Sequence, residues 1–259
     1  MHILLVNDDG IRSIGIHALC EAALMRGHKV SICAPNRQQS AASQRITLLD
    51  PIYVKPFDFG EAEVTAWSIT GTPADCVRLA LYELIKEPVD VLISGINDGY
   101  NAGMAVHYSG TVGAATEGSL NRVRSMAVSV HHTATKAMYD HTAHLAIATA
   151  ERYGTLKTPP ATVLNMNAPA REPENVLAPR LAPLSTANFL DTYVRRESPR
   201  SGVYYWMSNE GSMDAPEENS DLDLLNKGHV TLTFMGNPCE HSAAFASFVR
   251  EIGKLDLHA

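Results

Sequence analysis

The chain has few cysteines and no long hydrophobic run, and each shortage excludes a class of protein. Only four of the 259 residues are cysteine, and none are spaced as C-x-x-C. This argues against a disulfide framework or a zinc site and favours buried thiols in a reducing compartment. No apolar run approaches the roughly 20 residues that span a bilayer, and the first residues lack the features of a secretory signal peptide. We therefore expect a cytoplasmic protein without a membrane partner.

Positive charge is also scarce. Lysine and arginine together number 21 against 28 aspartate and glutamate residues, which gives a formal net charge of −7. Such a balance opposes non-specific binding to a polyanion, so nucleic acid is not an expected partner. A small anionic substrate is still compatible, because local groups can reverse the field at one site. The length suits one α/β domain with an elaboration.

Strand-like and helix-like segments alternate through the first two thirds of the chain. Buried strands are predicted at "HILLVN", "KVSICAP", "VDVLISGIN", "SMAVSV" and "TVLNMN", with helices between them. The segments "ITLLDPIYVKPF" and "AEVTAWSIT" predict a local antiparallel insertion. This alternation is typical of an α/β fold with a doubly wound, mostly parallel sheet, in which the ligand crevice lies at the carboxyl ends of the strands.

The character of the sequence changes near residue 170, where a proline-rich stretch begins. We divide the chain into a catalytic core, residues 1–170, and a β-containing C-terminal extension, residues 171–259. Within the extension we predict a protruding hairpin and a closing helix at "SAAFASFVREIG". The apolar segment "HVTLTFM" predicts a strand outside the core alternation, whose unpaired edge would seek a partner.

The first buried strand ends on two adjacent carboxylates, Asp8 and Asp9. An Asp-Gly turn or a helix cap would account for one of them. It would not account for both, because adjacent carboxylates repel each other and lose solvation together. A divalent cation between them would relieve that repulsion.

Three further loops follow predicted strand ends and carry polar groups. "APNRQQSAAS" supplies Ser40 and Ser43, which in isolation could belong to an ordinary solvated loop. "SGINDGYNAG" alternates glycine with Asn97 and Asn101, so the backbone can curve close to a ligand while amides face it. "YSGTVGAA" places residues 109–111 at a helix start, which could be a simple cap or an anion site.

Together the four loops offer one kind of chemistry. Carboxylate, hydroxyl and amide oxygens are hard ligands that suit Mg²⁺, Mn²⁺ or Ca²⁺. A cation beside an anion-binding helix end is the equipment of phosphoryl transfer, because the cation neutralises phosphate oxygens and lowers the pKa of a water molecule. The loops therefore indicate a metal-dependent phosphate chemistry.

The ordered set of these stretches resembles the SurE-type survival proteins, a family of metal-dependent 5′- and 3′-nucleotidases. The resemblance is carried by "ILLVNDDG", "APNRQQSAAS", "GTPADCV", "SGINDGYNAG", "YSGTVGAATEG" and "LNMNAP", with weaker similarity in "SDLDLLNKGHVTLTFM". It implies a Rossmann-like core, phosphomonoesterase activity on nucleoside monophosphates, one Mg²⁺ or Mn²⁺ ion per subunit, and a homodimer or homotetramer built partly through C-terminal segments.

The resemblance also implies roles for individual residues. Asp8, Asp9, Ser40 and Asn97 would be the metal ligands, and the two aspartates would be the catalytic residues. The substrate phosphate would be held by four residues, which are Asn101, Ser109, Gly110 and Thr111. We expect His107, close to the phosphate turn, to have a packing or rim role.

Three positions depart from the family pattern and concern loop shape. Ala41 stands where glycine is usual, "RSIG" replaces the common Ala-Pro-Gly after the acidic pair, and Tyr100 replaces a common proline. Two other functions remain open, a receiver-like Mg²⁺-binding signalling module and a nucleotide sensor without turnover. The receiver needs only about half this length and lacks the glycine-rich anion turn.

Overall fold

One nine-stranded sheet forms the centre of the fold. The computed structural model describes residues 1–155, 161–187 and 189–236. Its sheet strands are β1 (His2–Val6), β2 (Lys29–Pro35), β3 (Val54–Phe57), β4 (Thr65–Ile69), β5 (Val91–Asp98), β6 (Arg124–Val130), β7 (Val163–Ala168), β8 (Leu177–Leu181) and β11 (His229–Met235). Strands β9 (Phe189–Ser198) and β10 (Gly202–Met213) form a separate two-stranded sheet.

The helices cover this sheet. They are α1 (Ile14–Met25), α2 (Pro73–Leu79), α3 (Gly110–Leu120), α4 (Lys136–Gly154) and α5 (Asp221–Lys227), with a π-helical turn at Ala80–Leu84 and 3₁₀ turns at Gly103–His107 and Pro173–Asn175. Helix α2 begins with a capping box, in which the Thr72 side chain accepts from the Asp75 N–H and the Asp75 side chain accepts from the Thr72 N–H, and Pro73 occupies the first helical position.

The sheet order is β3-β4-β2-β1-β5-β6-β7-β11-β8. Strands β4, β2, β1, β5, β6 and β7 are parallel neighbours, whereas β3 is antiparallel to β4. Both the doubly wound α/β fold and the antiparallel insertion are thus confirmed. Two apolar clusters lie against the sheet, one containing Ile3 and Leu5 and the other Leu4 and Val6, so successive side chains of β1 pack on opposite sides.

The prediction that "HVTLTFM" is an unpaired strand outside the core is wrong. This segment is β11, which pairs antiparallel with β7 on one side and parallel with β8 on the other. Its apolar residues Val230 and Leu232 are fully buried in the main core. The sheet therefore continues across residue 170, and the extension supplies two of its strands.

The predicted hairpin is present as β9 and β10, which pair with each other from Phe189 to Met213. The predicted closing helix lies outside the described residues, as does Cys239. Cys20, Cys33 and Cys76 are buried free thiols, in agreement with the composition. Within the described ranges, no helix combines the length and the apolarity needed to cross a membrane.

Candidate active site

The carboxyl ends of three neighbouring strands and the start of one helix meet at one edge of the sheet. Strand β1 lies between β2 and β5, so the loops that follow these three strands are neighbours. Helix α3 begins at Gly110 beside them, since its first turn contacts Asp8 directly. The four sequence motifs therefore lie at a common crevice.

Asp8 lies at the centre of this crevice and is only 4% exposed. The Thr111 N–H donates to Asp8 Oδ2 at 3.1 Å, and the Thr111 hydroxyl lies 2.5 Å from Asp8 Oδ1. The same hydroxyl lies 3.3 Å from Asn97 Oδ1. Oxygen atoms from the ends of β1 and β5 thus gather around the Thr111 hydroxyl at the start of α3. The roles of Asp8 and Asn97 as metal ligands and of Thr111 as a phosphate residue stay predictions.

The buried position of Asp8 and Asp9 destabilises their ionised carboxylates. Burial raises the pKa of Asp8 to about 6, an effect that the neighbouring Asp9 charge increases and the Thr111 hydrogen bond opposes. Burial likewise raises the pKa of Asp9, whose carboxylate accepts from the Asp98 N–H at 3.1 Å and from Gln38 Nε2 at 3.3 Å. A carboxylate pair in this environment is more stable when a cation is bound.

The donor set fits a hard divalent cation. Asp8 and Asp9 supply carboxylate oxygens, Asn97 an amide oxygen and Ser40 a hydroxyl, which is the ligand chemistry of Mg²⁺ or Mn²⁺ rather than of a thiolate-bound metal. Across the described ranges, no group of three or more His, Cys, Asp or Glu side chains could hold a metal ion. The proposed set contains only two residues of those types, so that finding and the proposal are compatible.

The loop that carries Ser40 is tied to the acidic strand end by its backbone. The Gln39 N–H donates to the Asp8 carbonyl at 2.7 Å, and Ser40 follows with an exposed side chain. A little further on, the Ser43 hydroxyl donates to the His107 carbonyl at 2.8 Å. The loop is therefore held against the acidic strand end and against the segment before α3, while Ser40 itself is free to meet a ligand.

Ala41, which stands where the family usually has glycine, affects the backbone conformation of this loop. Ala41 has a φ of +56°, a left-handed conformation that glycine adopts without strain and that costs alanine roughly 1–2 kcal/mol. The turn that glycine would favour is thus retained with alanine in its place. His107 is exposed, and its packing or rim role stays a prediction.

Asn101 is buried in a polar network beneath the crevice. Its N–H donates to Asn167 Oδ1 at 2.9 Å, and its carbonyl accepts from the side chains of Asn165 and Asn167. Its own Nδ2 donates to Ser129 Oγ at 2.9 Å. These contacts fix the glycine-rich loop, but they also occupy the amide that was predicted to hold phosphate, and a direct phosphate contact from Asn101 stays a prediction.

Sequence reasoning missed the groups that support this loop. Asn165 and Asn167 alternate along an otherwise apolar buried strand, a pattern that could have marked them as partners of a crevice loop. Asp221 gave no such signal. Its fully buried carboxylate accepts from the Gly103 N–H at 2.8 Å, across 118 positions of sequence, and from the Ser185 N–H at 2.8 Å.

The turn at residues 109–111 caps α3 and faces Asp8. The Ser109 hydroxyl accepts from the Val112 N–H at 3.1 Å, which is an ordinary N-cap. A Cβ added to Gly110 would lie 2.9 Å from Asp8 Oδ2, so only glycine allows this close approach. Ser109 is therefore a cap, and Gly110 and Thr111 lie against Asp8, while the anion site at this turn stays a prediction.

Comparison with known proteins agrees with this geometry. The family model "Survival protein SurE" matches residues 3–190. "5′-nucleotidase SurE" of Solidesulfovibrio magneticus is 40% identical over 98% of both chains, and that of Desulfovibrio desulfuricans is 40% identical over 90% of this chain and 91% of its own. The crystal structure of the SurE protein from Aquifex aeolicus superposes with a TM-score of 0.76 at 27% identity, covering 95% of this chain and 98% of that one.

The matched residues include the acidic pair, the glycine-rich loop and the start of α3, and the relatives extend the likeness over the C-terminal extension as well. The chain belongs to the SurE family of survival proteins.

Proposed function

We propose that this protein is a metal-dependent 5′-nucleotidase that hydrolyses nucleoside 5′-monophosphates, and also 3′-monophosphates, to nucleoside and phosphate. The observation that carries the proposal is the meeting of the Asp8 carboxylate, the Asn97 amide oxygen and the Thr111 hydroxyl at the start of α3. The curated relatives that are 40% identical to this chain are named 5′-nucleotidases.

Charge at the start of α3 supports the participation of a cation. The Thr111 N–H is given to the Asp8 carboxylate, so a phosphate at the same helix start would lie beside a group of like charge. A divalent cation held by Asp8, Asp9, Ser40 and Asn97 would offset this repulsion, neutralise phosphate oxygens and lower the pKa of a water molecule. We propose one such ion per subunit, either Mg²⁺ or Mn²⁺.

The chain's own groups have separate tasks in this proposal. The phosphate lies against residues 109–111 at the positive end of the α3 dipole, where the N–H groups of Ser109 and Gly110 are free of the contact that Thr111 makes with Asp8. Asn101 holds the glycine-rich loop in place through Ser129 and Asn167, and a direct contact of its side chain with the phosphate would require the Ser129 hydrogen bond to be given up. Asp8 and Asp9 hold the cation and orient the reacting groups around it.

We also propose a homodimer or homotetramer, because the β9–β10 hairpin exposes Tyr193, Tyr205 and Trp206 by more than 60% each. The cytoplasmic location stays a prediction from composition.

Steady release of inorganic phosphate from 5′-AMP tests the proposal. We expect many turnovers per subunit with Mg²⁺ or Mn²⁺, slower turnover of 3′-AMP, and none after chelation. A receiver-like module would bind the metal without repeated turnover, and a sensor would bind AMP without releasing phosphate. Either of those results would replace the nucleotidase assignment.

A further inference from the structure

A cleft of about 530 Å³ lies beside the acidic crevice. It is formed by the loop after β2 and by the segment between β4 and α2, and its lining includes Gln39 and Thr72. Ligand pockets for small molecules are commonly about 300–1,000 Å³, so a nucleoside fits. None of the residues so far given a role in phosphate or metal binding lines this cleft.

Two contacts join the cleft to the acidic crevice. On one wall, the Gln39 N–H donates to the Asp8 carbonyl at 2.7 Å. On the other wall, Thr72 is followed by Pro73, whose Cγ would lie 3.2 Å from a Cβ placed on Gly110. The cleft therefore borders Asp8 and Gly110, so the organic part of a nucleotide whose phosphate lies at the start of α3 can extend into it.

The cleft has an apolar and a polar part. Ile46 and Ile52 supply apolar surface, while Arg37, Arg45 and Asp50 bring two guanidinium groups and one carboxylate. These three charged residues make no ion pair within 4.0 Å among the residues that the structure describes. Charged groups left without a partner at a cleft are available to a ligand.

The charges match one base better than the others. A guanidinium donates two parallel hydrogen bonds to O6 and N7 of guanine, which is the commonest specific contact of arginine with a base. A carboxylate accepts from N1–H and N2–H₂ of the same base, and a second guanidinium can lie over the ring face. Adenine lacks O6 and N2–H₂, and pyrimidines lack the N7 edge.

We propose that this cleft is the nucleoside subsite and that it favours guanine, with Arg45 and Asp50 as specificity-determining residues and Arg37 as a stacking cation. The inference rests on the proposed nucleotidase function for its substrate class. Backbone contacts of Arg45 are independent of its side chain, since its carbonyl accepts from Thr72 Oγ1 at 2.6 Å and its N–H donates to Ala42. The variant Arg45→Gln therefore leaves the loop in place.

The first test compares kcat/KM for GMP, AMP, UMP and ribose 5-phosphate in the wild type, Arg45→Gln and Asp50→Asn. Arg200→Gln, an exposed arginine in the β9–β10 turn, is the matched control. We expect both cleft variants to lose about tenfold or more with GMP, through a higher KM, and to keep ribose 5-phosphate turnover. Equal loss on all four substrates, or no loss with GMP, would overturn the proposal.

The second test separates this proposal from the nucleotidase function. Guanosine, which has no phosphate, is titrated into the wild type and the variants in the calorimeter. We expect guanosine to bind more tightly than adenosine and Arg45→Gln to weaken it about tenfold or more. If no nucleotide is hydrolysed but guanosine binds in this way, the nucleotidase function fails and the subsite stands. If AMP is hydrolysed but the protein binds guanosine no more tightly than adenosine, the subsite proposal fails and the nucleotidase function stands.

Discussion

At the scale of the residue, the buried Asp8 carboxyl sets a pH dependence of stability. Its pKa is about 6 in the folded protein against 3.8 for the free group, because burial disfavours the charge. The folded state therefore binds this proton more tightly than the unfolded chain does. Its contribution to stability is fully present below pH 3.8 and is lost as pH rises through 6, amounting to about 3 kcal/mol.

We predict that the free energy of unfolding of Asp8→Asn, relative to that of the wild type, increases from pH 4 to pH 7.5 when both are measured in a chelator. The amide carries no charge to be penalised, whereas its mismatch with the Thr111 N–H costs the same at both pH values. Denaturant unfolding at the two pH values measures the difference. Asp58→Asn, in the exposed turn after β3, is the control. If the difference in unfolding free energy between Asp8→Asn and the wild type were the same at both pH values, the pKa of Asp8 would not be raised in the folded protein.

Close packing at Gly110 gives a second residue-scale prediction. The Cβ of Gly110→Ala would lie 2.9 Å from Asp8 Oδ2 and 3.0 Å from Asp8 Cβ, so the carboxylate must move away from the start of α3. We expect inhibition by inorganic phosphate or vanadate and turnover to fall at least tenfold, with a modest change in melting temperature.

Gly154→Ala, at the end of α4, is the comparison for Gly110→Ala, because its nearest new contact is the flexible Met1 side chain at 3.2 Å. Phosphate inhibition that is unchanged in a folded Gly110→Ala variant would remove the phosphate site from this turn.

Crevice residues that belong to a sequence motif were predictable from the sequence. Those that reach the crevice only through the folding of distant segments were not. Asp8, Asn97 and Thr111 follow strand ends or start a helix, so their convergence follows from the parallel sheet. The hydrogen bond of the Thr111 hydroxyl with Asp8 has no sequence signal, since a threonine after Ser-Gly reads as part of a cap. Asp221 could not have been placed, because its partner Gly103 lies 118 positions away.

At the scale of the element, the Ser40 loop and α3 hold each other in place. A Cβ on Gly113 would lie 2.1 Å from the Ser43 carbonyl oxygen, so helix and loop touch backbone to backbone. We predict that Gly113→Ala displaces the loop and with it Ser40, which lowers Mn²⁺ affinity and turnover at least tenfold. Titration with Mn²⁺ measures this effect, again beside Gly154→Ala. A folded Gly113→Ala variant with wild-type metal affinity would show that the loop supplies no ligand.

Strand β11 shows what sequence patterns leave open at this scale. Its apolar run correctly predicted a strand, but it follows a hairpin and a short helix rather than a crossover unit, so no local signal assigns it to the main sheet. Its pairing joins residues at least 51 positions apart, as Leu232 pairs with Leu181 of β8 and with Met166 of β7. Non-local pairing of this kind is decided by burial in the finished fold.

At the scale of the whole molecule, the β9–β10 hairpin is the surface from which we predict self-association. Its two faces carry different exposed residues, with Tyr204 and Trp206 on one and Tyr193 and Tyr205 on the other. A two-stranded hairpin with apolar groups on both faces is marginal alone in water. A second copy of the chain would bury these groups.

We expect Tyr204→Lys combined with Trp206→Lys to shift the molecular mass measured by light scattering toward the monomer. Met25→Lys, which changes a residue that is 76% exposed at the end of α1, should leave the mass unchanged. A wild-type protein that is already monomeric at micromolar concentration would contradict the proposed dimer or tetramer. Truncation after residue 170 is a poorer test, because it would also remove β8 and β11 from the sheet.

The central claim is that the strand-end crevice hydrolyses nucleotides with a divalent cation bound to the acidic pair. The most direct measurement follows phosphate release from 5′-AMP while chelator-treated protein is titrated with Mn²⁺, in the wild type and in Asp9→Asn. We predict saturable activation near one ion per subunit in the wild type. In Asp9→Asn, folded as judged by circular dichroism, we predict weaker Mn²⁺ binding and loss of most turnover. Metal-independent hydrolysis, or an Asp9→Asn variant with wild-type turnover and metal affinity, would contradict the account.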